Sequence, residues 1–441
     1  MNSIARKTVL ANGITVIVAH NPAADIMAAR LFLQAGTRHQ PANKAGVTHL
    51  LAAVLTKGTP SLSSMDIAEK VESVGASLGA DVAADYFLTS LKTVSPDFAQ
   101  MLHLTAELLR SPAFPEAEVD LERRLTLQAI RSQQEQPFGV AFDTLRRSMY
   151  GQHPYAVSSL GEPEVVKTLT RDDLVNFHRT YFRPDRLVIS ISGCIPPEKT
   201  LALVEDAFGD WENPVDRAPE SVLGEIVTRP QAIADPQDTQ QAIVMLGYLA
   251  PAVASQKQSL SQRQDYATLK LLNTYLGNGL SSRLFVEMRE KRGLAYDVSA
   301  FYSTRLDPSQ FVVYMGTAPQ NTRVAVEGLK AEVDRLREGV LTPEELADAK
   351  TKLLGQYALG KQTNAQIAHI CGWYEILELG LEFDDEFVEA ISSVTLSDAK
   401  MVADRYLSEP HISLVGPEAE LKHLGDLLPN VKFLDSELLP S

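Results

Sequence analysis

Gly46-Val-Thr-His49-Leu-Leu-Ala52-Ala53-Val-Leu-Thr-Lys-Gly58-Thr59 is the stretch whose reading decides this chain. It reads as a helix that starts near Ala45 and stops at Gly58, with Pro60 beyond it. Residues three and four apart share one helical face. His, Glu and His at i, i+3 and i+4 would set two imidazoles beside a carboxylate, a frame that holds a metal ion and works on its water. Here the first position is His49, and the other two are Ala52 and Ala53. A methyl group neither binds a metal nor accepts a proton. Alanine is also the strongest helix former, so the helix persists while its chemistry is removed.

The 441 residues suffice for two or three domains with sizeable cores, and 45% hydrophobic with 22% charged content is that of a soluble globular protein. A net charge of −15 argues against a nucleic-acid binder and suits attraction of basic peptides, although solubility is the simpler reading. Cys194 and Cys371 lie in different halves and belong to no metal-spaced cluster, so both read as small buried hydrophobes. No run approaches the ~18 apolar residues of a membrane span. Asn12-Gly13 interrupts the apolar residues after Arg6 and Lys7, so no signal-peptide core forms and a cytoplasmic location is expected.

Outward from the opening stretch, Thr8–Leu10 and Ile14–Val18 flank Asn12-Gly13 as a hairpin, and Ala28–Leu33 reads as a strand. Ser63 or Ser64 caps a helix to about Val74, and a helix after Pro115 runs to about Gln134. Pro214, Pro219, Pro230 and Pro236 sit among charges in 213–237, which reads as a linker. Thr170, Asp173 and Tyr181, followed by a strand ending at Gly193, are echoed by Thr395, Asp398 and Tyr406, followed by a strand ending at Gly416. The three residues recur at one constant offset of 225. The chain therefore reads as α+β, with duplicated domains at 1–212 and 238–441.

Ser282-Arg-Leu-Phe-x-Glu-x-Arg289-Glu-Lys-Arg-Gly293-Leu-Ala-Tyr296, with Arg and Tyr seven positions apart, is the most specific stretch. With Gly46-x-x-His49…Lys57-Gly58-Thr59 and Gly75-Ala-Ser-Leu-Gly-Ala80, it makes nearly the whole chain resemble the pitrilysin/mitochondrial processing peptidase family, the inverted-motif zinc peptidases. The resemblance implies two homologous α+β domains, each a mainly antiparallel sheet packed with helices, forming half of a clam-shell chamber. It implies a third zinc ligand on a later helix, where this chain has Ala129. It also implies a zinc-less subunit that carries the Arg/Tyr pair, with zinc in a homologous partner and none in this chain. A heterodimer with a zinc-bearing subunit, or a homodimer, is the expected assembly.

On its own, Arg289 reads as a solvated helix charge beside a Glu287/Lys291 pair, and Tyr296 as a half-buried strand residue sharing a face with Val298, Ala300 and Tyr302. In the family's frame, guanidinium and phenol are donors for the carbonyl oxygen that gains charge as an amide is hydrolysed. Arg289 and Tyr296 are thus the expected catalytic residues, and an extended peptide added to a sheet edge the expected substrate. His49 alone cannot hold zinc and reads as a packed histidine, as do His153 and His178. The competing expectation is a pseudopeptidase that scaffolds a complex or holds peptides without cutting them. Ala52, Ala53 and Ala129 argue against an independently active zinc peptidase.

Overall fold

The computed structural model describes residues 5–216, 223–253 and 260–434. In chain order the elements are β1 Ala5–Val9, β2 Thr15–His20, β3 Ile26–Leu33, α1 Val47–Val54, α2 Ser64–Glu72, β4 Ser77–Val82, β5 Phe87–Val94, α3 Phe98–Arg110, α4 Glu116–Gln134, α5 Pro137–Tyr150, α6 Pro163–Val166, α7 Arg171–Tyr181, β6 Leu187–Gly193 and α8 Pro197–Phe208. Then come β7 Ala232–Pro236, β8 Ala242–Ala250, α9 Leu260–Gly277, a π-helix at Phe285–Lys291, β9 Ala295–Tyr302, β10 Ser309–Thr317, α10 Thr322–Arg337, α11 Pro343–Leu359, α12 Asn364–Ile376, α13 Phe383–Ser393, α14 Leu396–Tyr406, β11 His411–Gly416, α15 Glu418–Lys422 and β12 Lys432–Phe433. Among the described residues, no helix is long and apolar enough to cross a membrane.

Two six-stranded sheets form, ordered β1-β2-β6-β3-β5-β4 and β12-β7-β11-β8-β10-β9. Both are mainly antiparallel, and each has one parallel pair beside its centre, β2 with β6 and β7 with β11. They differ at one edge. In the first sheet β1 joins by an antiparallel hairpin, whereas in the second β12 comes from the chain's end and runs parallel. The hairpin loop has three residues, Ala11, Asn12 and Gly13. The Leu10 N–H meets the Ile14 oxygen at 2.9 Å, and Gly13 takes φ +94°. Asn-Gly thus closes a three-residue loop in place of the two-residue turn that dipeptide favours.

The internal repeat is structural. Thr170 and Thr395 each cap a helix, α7 and α14, and each accepts from the N–H of an Asp three residues on, whose carboxylate bonds back. Such a cap contributes roughly 1 kcal/mol. The strand after each helix, β6 or β11, is buried along its length at the centre of its sheet.

Two compact units result: Met1–Ile130 with Ser158–Leu223 and Ala358–Asp385, and Arg131–Val157 with Gly224–Tyr357 and Glu386–Ser441. Each half of the sequence lends one helix to the other half's sheet, a feature the division 1–212 and 238–441 lacks. In the first unit α12 lies on β3 and β6. A Cβ on its Gly372 would sit 2.4 Å from the Phe32 ring, so only glycine permits the approach. Asn364 of α12 donates to the Ile26 oxygen and accepts from Asn21 and Ser192. In the second unit α5 lies on β8 and β11, and Gly247 of β8 makes room for Met149 and Leu145. Within the expected linker, 217–222 lie outside the described residues, and Ala232–Pro236 is strand β7. Its main chain pairs with β11, and that pairing outweighs its proline and charge content.

Candidate functional site

In the first unit, α1 is buried on nearly every side. Val47, Leu50, Leu51, Ala52 and Val54 enter the core, and Gly46 caps the helix at φ +105°. His49 and Ala53 are half-buried, and Ala129 on α4 is exposed. Burial lowers the His49 pKa, while Asp81 and Glu122 pull it the other way. Glu122 is itself held by Lys57 at 3.1 Å. Among the described residues, no group of three or more His, Cys, Asp or Glu side chains could hold a metal ion. The donors around His49 therefore do not fit a zinc site. His178 and His153 are packing residues. The His178 Nε2 meets the Leu109 oxygen at 2.8 Å, and the His153 Nδ1 accepts from the Tyr155 N–H.

In the second unit the structure brings Arg289 and Tyr296 together. The segment over 281–292 is π-helical at Phe285–Lys291, where an ordinary helix is expected. Such i→i+5 turns are rare and concentrate at functional sites. Gly293, at φ +64°, ends the segment and turns the chain into β9. The Arg289 guanidinium lies over the Phe285 ring, 5.1 Å from its centroid, and Nη1 donates to the main-chain oxygen of Tyr296 at 3.0 Å.

Tyr296 differs from its strand neighbours. Val298, Ala300 and Tyr302, at the same parity, are buried, while Tyr296 is 61% exposed. The cause is a register shift: Gly316 pairs with Asp297 and Thr317 with Ala295, leaving Tyr296 as the extra residue. A β-bulge re-aims a side chain in this way. Strand β9 is the last in its sheet, as β4 is in the first.

Sequence reasoning missed what lies behind Arg289. On the segment's other side, Arg283 donates from Nε to Glu332 at 2.8 Å and pairs through Nη1 with Glu287 at 2.9 Å. Lys291 reaches Glu287 at 2.7 Å. Arg283/Glu287 and Glu287/Lys291 both have the local i,i+4 spacing, of which sequence reasoning takes only the second, whereas Glu332 lies 49 residues from Arg283. The hydrogen bond from Lys291, with the charge of Arg283 beside it, lowers the Glu287 pKa against the opposing effect of burial. Arg283, Glu287 and Lys291 line a cleft of about 640 Å³ with Tyr275, Glu345 and Lys352. Tyr275 donates to Glu345 and Lys352 to the Ser281 hydroxyl, so the cleft's polar groups largely satisfy one another.

A family profile described as "Insulinase (Peptidase family M16)" matches residues 15–163, and one described as "Peptidase M16 inactive domain" matches 168–353. The chain belongs to the M16 peptidase family. An uncharacterized zinc protease of Streptomyces coelicolor is 28% identical over 418 residues, covering 93% of this chain and 89% of its own. One of Bacillus subtilis is 25% identical over 412 residues, covering 93% and 98%. Among solved structures, a protease from Helicobacter pylori superposes with TM-score 0.84 at 22% identity, covering 93% of this chain and 98% of its own. A peptidase M16 inactive domain from Pseudomonas fluorescens gives 0.84 at 24% identity, covering 94% and 98%. This M16 chain thus matches the family's profiles over 15–163 and 168–353, and it has alanine at 52, 53 and 129.

Proposed function

We propose that this chain is the subunit without metal in a heterodimeric zinc endopeptidase, and that it supplies Arg289 and Tyr296 to substrate held at a partner's zinc. The observation that carries this reading is the bulge at Tyr296. It turns a phenol out of the sheet to 61% exposure and leaves its carbonyl on Arg289. The guanidinium bonded to that carbonyl and the exposed phenol of the same residue are both donors of the kind that stabilises a developing negative charge on a peptide carbonyl, and the tyrosine belongs to an edge strand. Substrate would enter extended, pairing with an edge strand by main-chain hydrogen bonds, and selectivity would be loose.

The test is recovery of the chain from its native extract, followed by a chelator-sensitive peptidase assay with and without the protein that accompanies it. A companion with an intact His-x-x-Glu-His helix, and activity only in the pair, is the expected result. Recovery solely as an inactive homodimer would overturn it.

One observation favours the second reading, a pseudopeptidase scaffold. Arg289 and Lys270 take the carbonyls of Tyr296 and Tyr302 near the two ends of β9, and side chains laid on an edge strand also serve to blunt it. On that reading the pair protects the sheet and binds no substrate.

A further inference from the structure

We propose that Glu332 is a positioning residue, acting through Arg283 to hold the π-helical turn that aims Arg289 at the β9 bulge. The inference rests on the reading of Arg289 as a substrate-binding group. The geometry begins on α10, whose inner face carries buried Glu332. Its two oxygens take Arg283 as a fork, Nε at 2.8 Å and Nη2 at 3.4 Å. A two-pronged pair fixes orientation as well as distance. Arg283 passes the constraint to Glu287 at 2.9 Å, and Glu287 passes it to Lys291 at 2.7 Å. Residues 283, 287 and 291 thus form one ionic ladder along one side of the segment, and Arg289 is off that ladder. Beside the ladder, fully buried Met288 packs where a Cβ on Gly328 of α10 would come within 2.2 Å. The segment is therefore fastened to α10 at two points, one ionic and one steric.

The π turn matters because each residue in it advances less around the axis than in an α-helix. If the ladder lets go and the turn relaxes to α, side chains beyond Phe285 rotate relative to the anchored start. Arg289 then leaves the Tyr296 carbonyl. Nothing in the network touches Arg289 directly, so the effect on it is indirect and depends on backbone register.

The experiment uses the full chain alone and paired with its zinc-bearing companion. In the chain alone, Glu332→Gln should speed amide hydrogen exchange across 285–296 about tenfold, while Arg289→Ala leaves 285–291 protected. In the pair, Glu332→Gln should lower kcat about tenfold with KM within about twofold, because misplacement of a binding group by a fraction of its length is felt at the transition state. In the Arg289→Ala background, Glu332→Gln should add no further loss. Should Glu332→Gln fail to fold, Arg283→Lys, which keeps the charge but loses the fork, should give the same pattern in milder form. Unchanged exchange over 285–296, or losses that multiply in the double variant, would overturn the proposal. A pair whose rate ignores Arg289→Ala overturns the peptidase reading instead, and the exchange measurement then decides alone whether Glu332 holds the segment.

Discussion

Arg289 and Tyr296 are joined side chain to main chain: Nη1 of the arginine donates to the tyrosine's carbonyl oxygen at 3.0 Å, across the turn at Gly293. The bond fixes where the guanidinium sits without using up the phenol. An exposed arginine adds little to stability, typically within about 0.5 kcal/mol. Arg289→Ala should therefore leave the thermal midpoint almost unmoved. The peptidase rate of the assembled pair should fall roughly 10²–10³-fold, the loss seen when one donor to a developing oxyanion is removed. Steady-state kinetics beside a melting curve decide it, and a wild-type rate would remove Arg289 from the site.

Tyr296→Phe isolates the hydroxyl. The ring stays, the bulge stays, and with 61% of the residue exposed the fold should not register the change. Turnover by the pair should drop about fivefold, consistent with loss of one neutral hydrogen bond of about 1 kcal/mol at the transition state. Equal turnover by Tyr296→Phe and wild type would make the tyrosine a structural bulge residue only.

The purified chain should carry far less than one zinc per molecule by elemental analysis after dialysis against trace metal. Ala52 is buried with no donor, Ala53 and Ala129 offer only methyl groups, and among the described residues His49 is not joined by two further ligands. Stoichiometric zinc that survives dialysis would mean that other residues form a site.

Legibility in the sequence followed the range of the forces involved. Local signals were accurate: the Ser63 cap of α2 and the Glu287/Lys291 pair are set by residues three or four apart, and the repeated Thr170/Asp173 and Thr395/Asp398 proved to be helix caps. The α+β duplication was visible because those caps recur with their strands. What stayed hidden was non-local. The transfer of α5 and α12 between sheets depends on Gly247 and Gly372 meeting residues distant in sequence. Strand β7 hid behind prolines because pairing with β11 decides it. The bulge at Tyr296 arises from register against β10, so strand parity alone placed that tyrosine with its buried neighbours. Cys371 is buried as expected, whereas Cys194 is only half-buried.

Stability should fall on the acid side through buried histidines. Burial pushes His411 down to about 4, with its Nδ1 2.6 Å from the Ser148 hydroxyl. Burial likewise lowers His178 to about 4, against the opposing bond to the Leu109 carbonyl. Both are neutral when folded, while the unfolded chain binds a proton near pH 6.5. Their contribution is thus complete above about pH 6.5 and is lost as the pH falls toward 4, at up to about 1.4 kcal/mol per pH unit per histidine. Denaturant midpoints from pH 8 to 4.5 should show this decline, and His411→Gln should flatten part of it. A level profile between pH 7 and 5 would contradict the assignment.

The exchanged helices make a prediction about the halves. A chain divided between Asp216 and Leu223 gives a first fragment without α12 and a second without α5. The first then bares the α12 side of β3 and β6, where Phe32, Ser190 and Ser192 lie, and Asn364 no longer satisfies the Ile26 carbonyl. The second bares Gly247, and His411 loses Ser148. Each fragment forgoes a whole buried helix face, where single core truncations already cost about 2–5 kcal/mol, against a total stability of only about 5–15 kcal/mol. Neither fragment should give a cooperative melt alone, and mixing them should restore one. Gly372→Leu, which drives a side chain into Phe32, should weaken that reassembly strongly, whereas a substitution at exposed Gly355 should not. A first fragment that melts cooperatively by itself would show that its sheet needs no cover from α12.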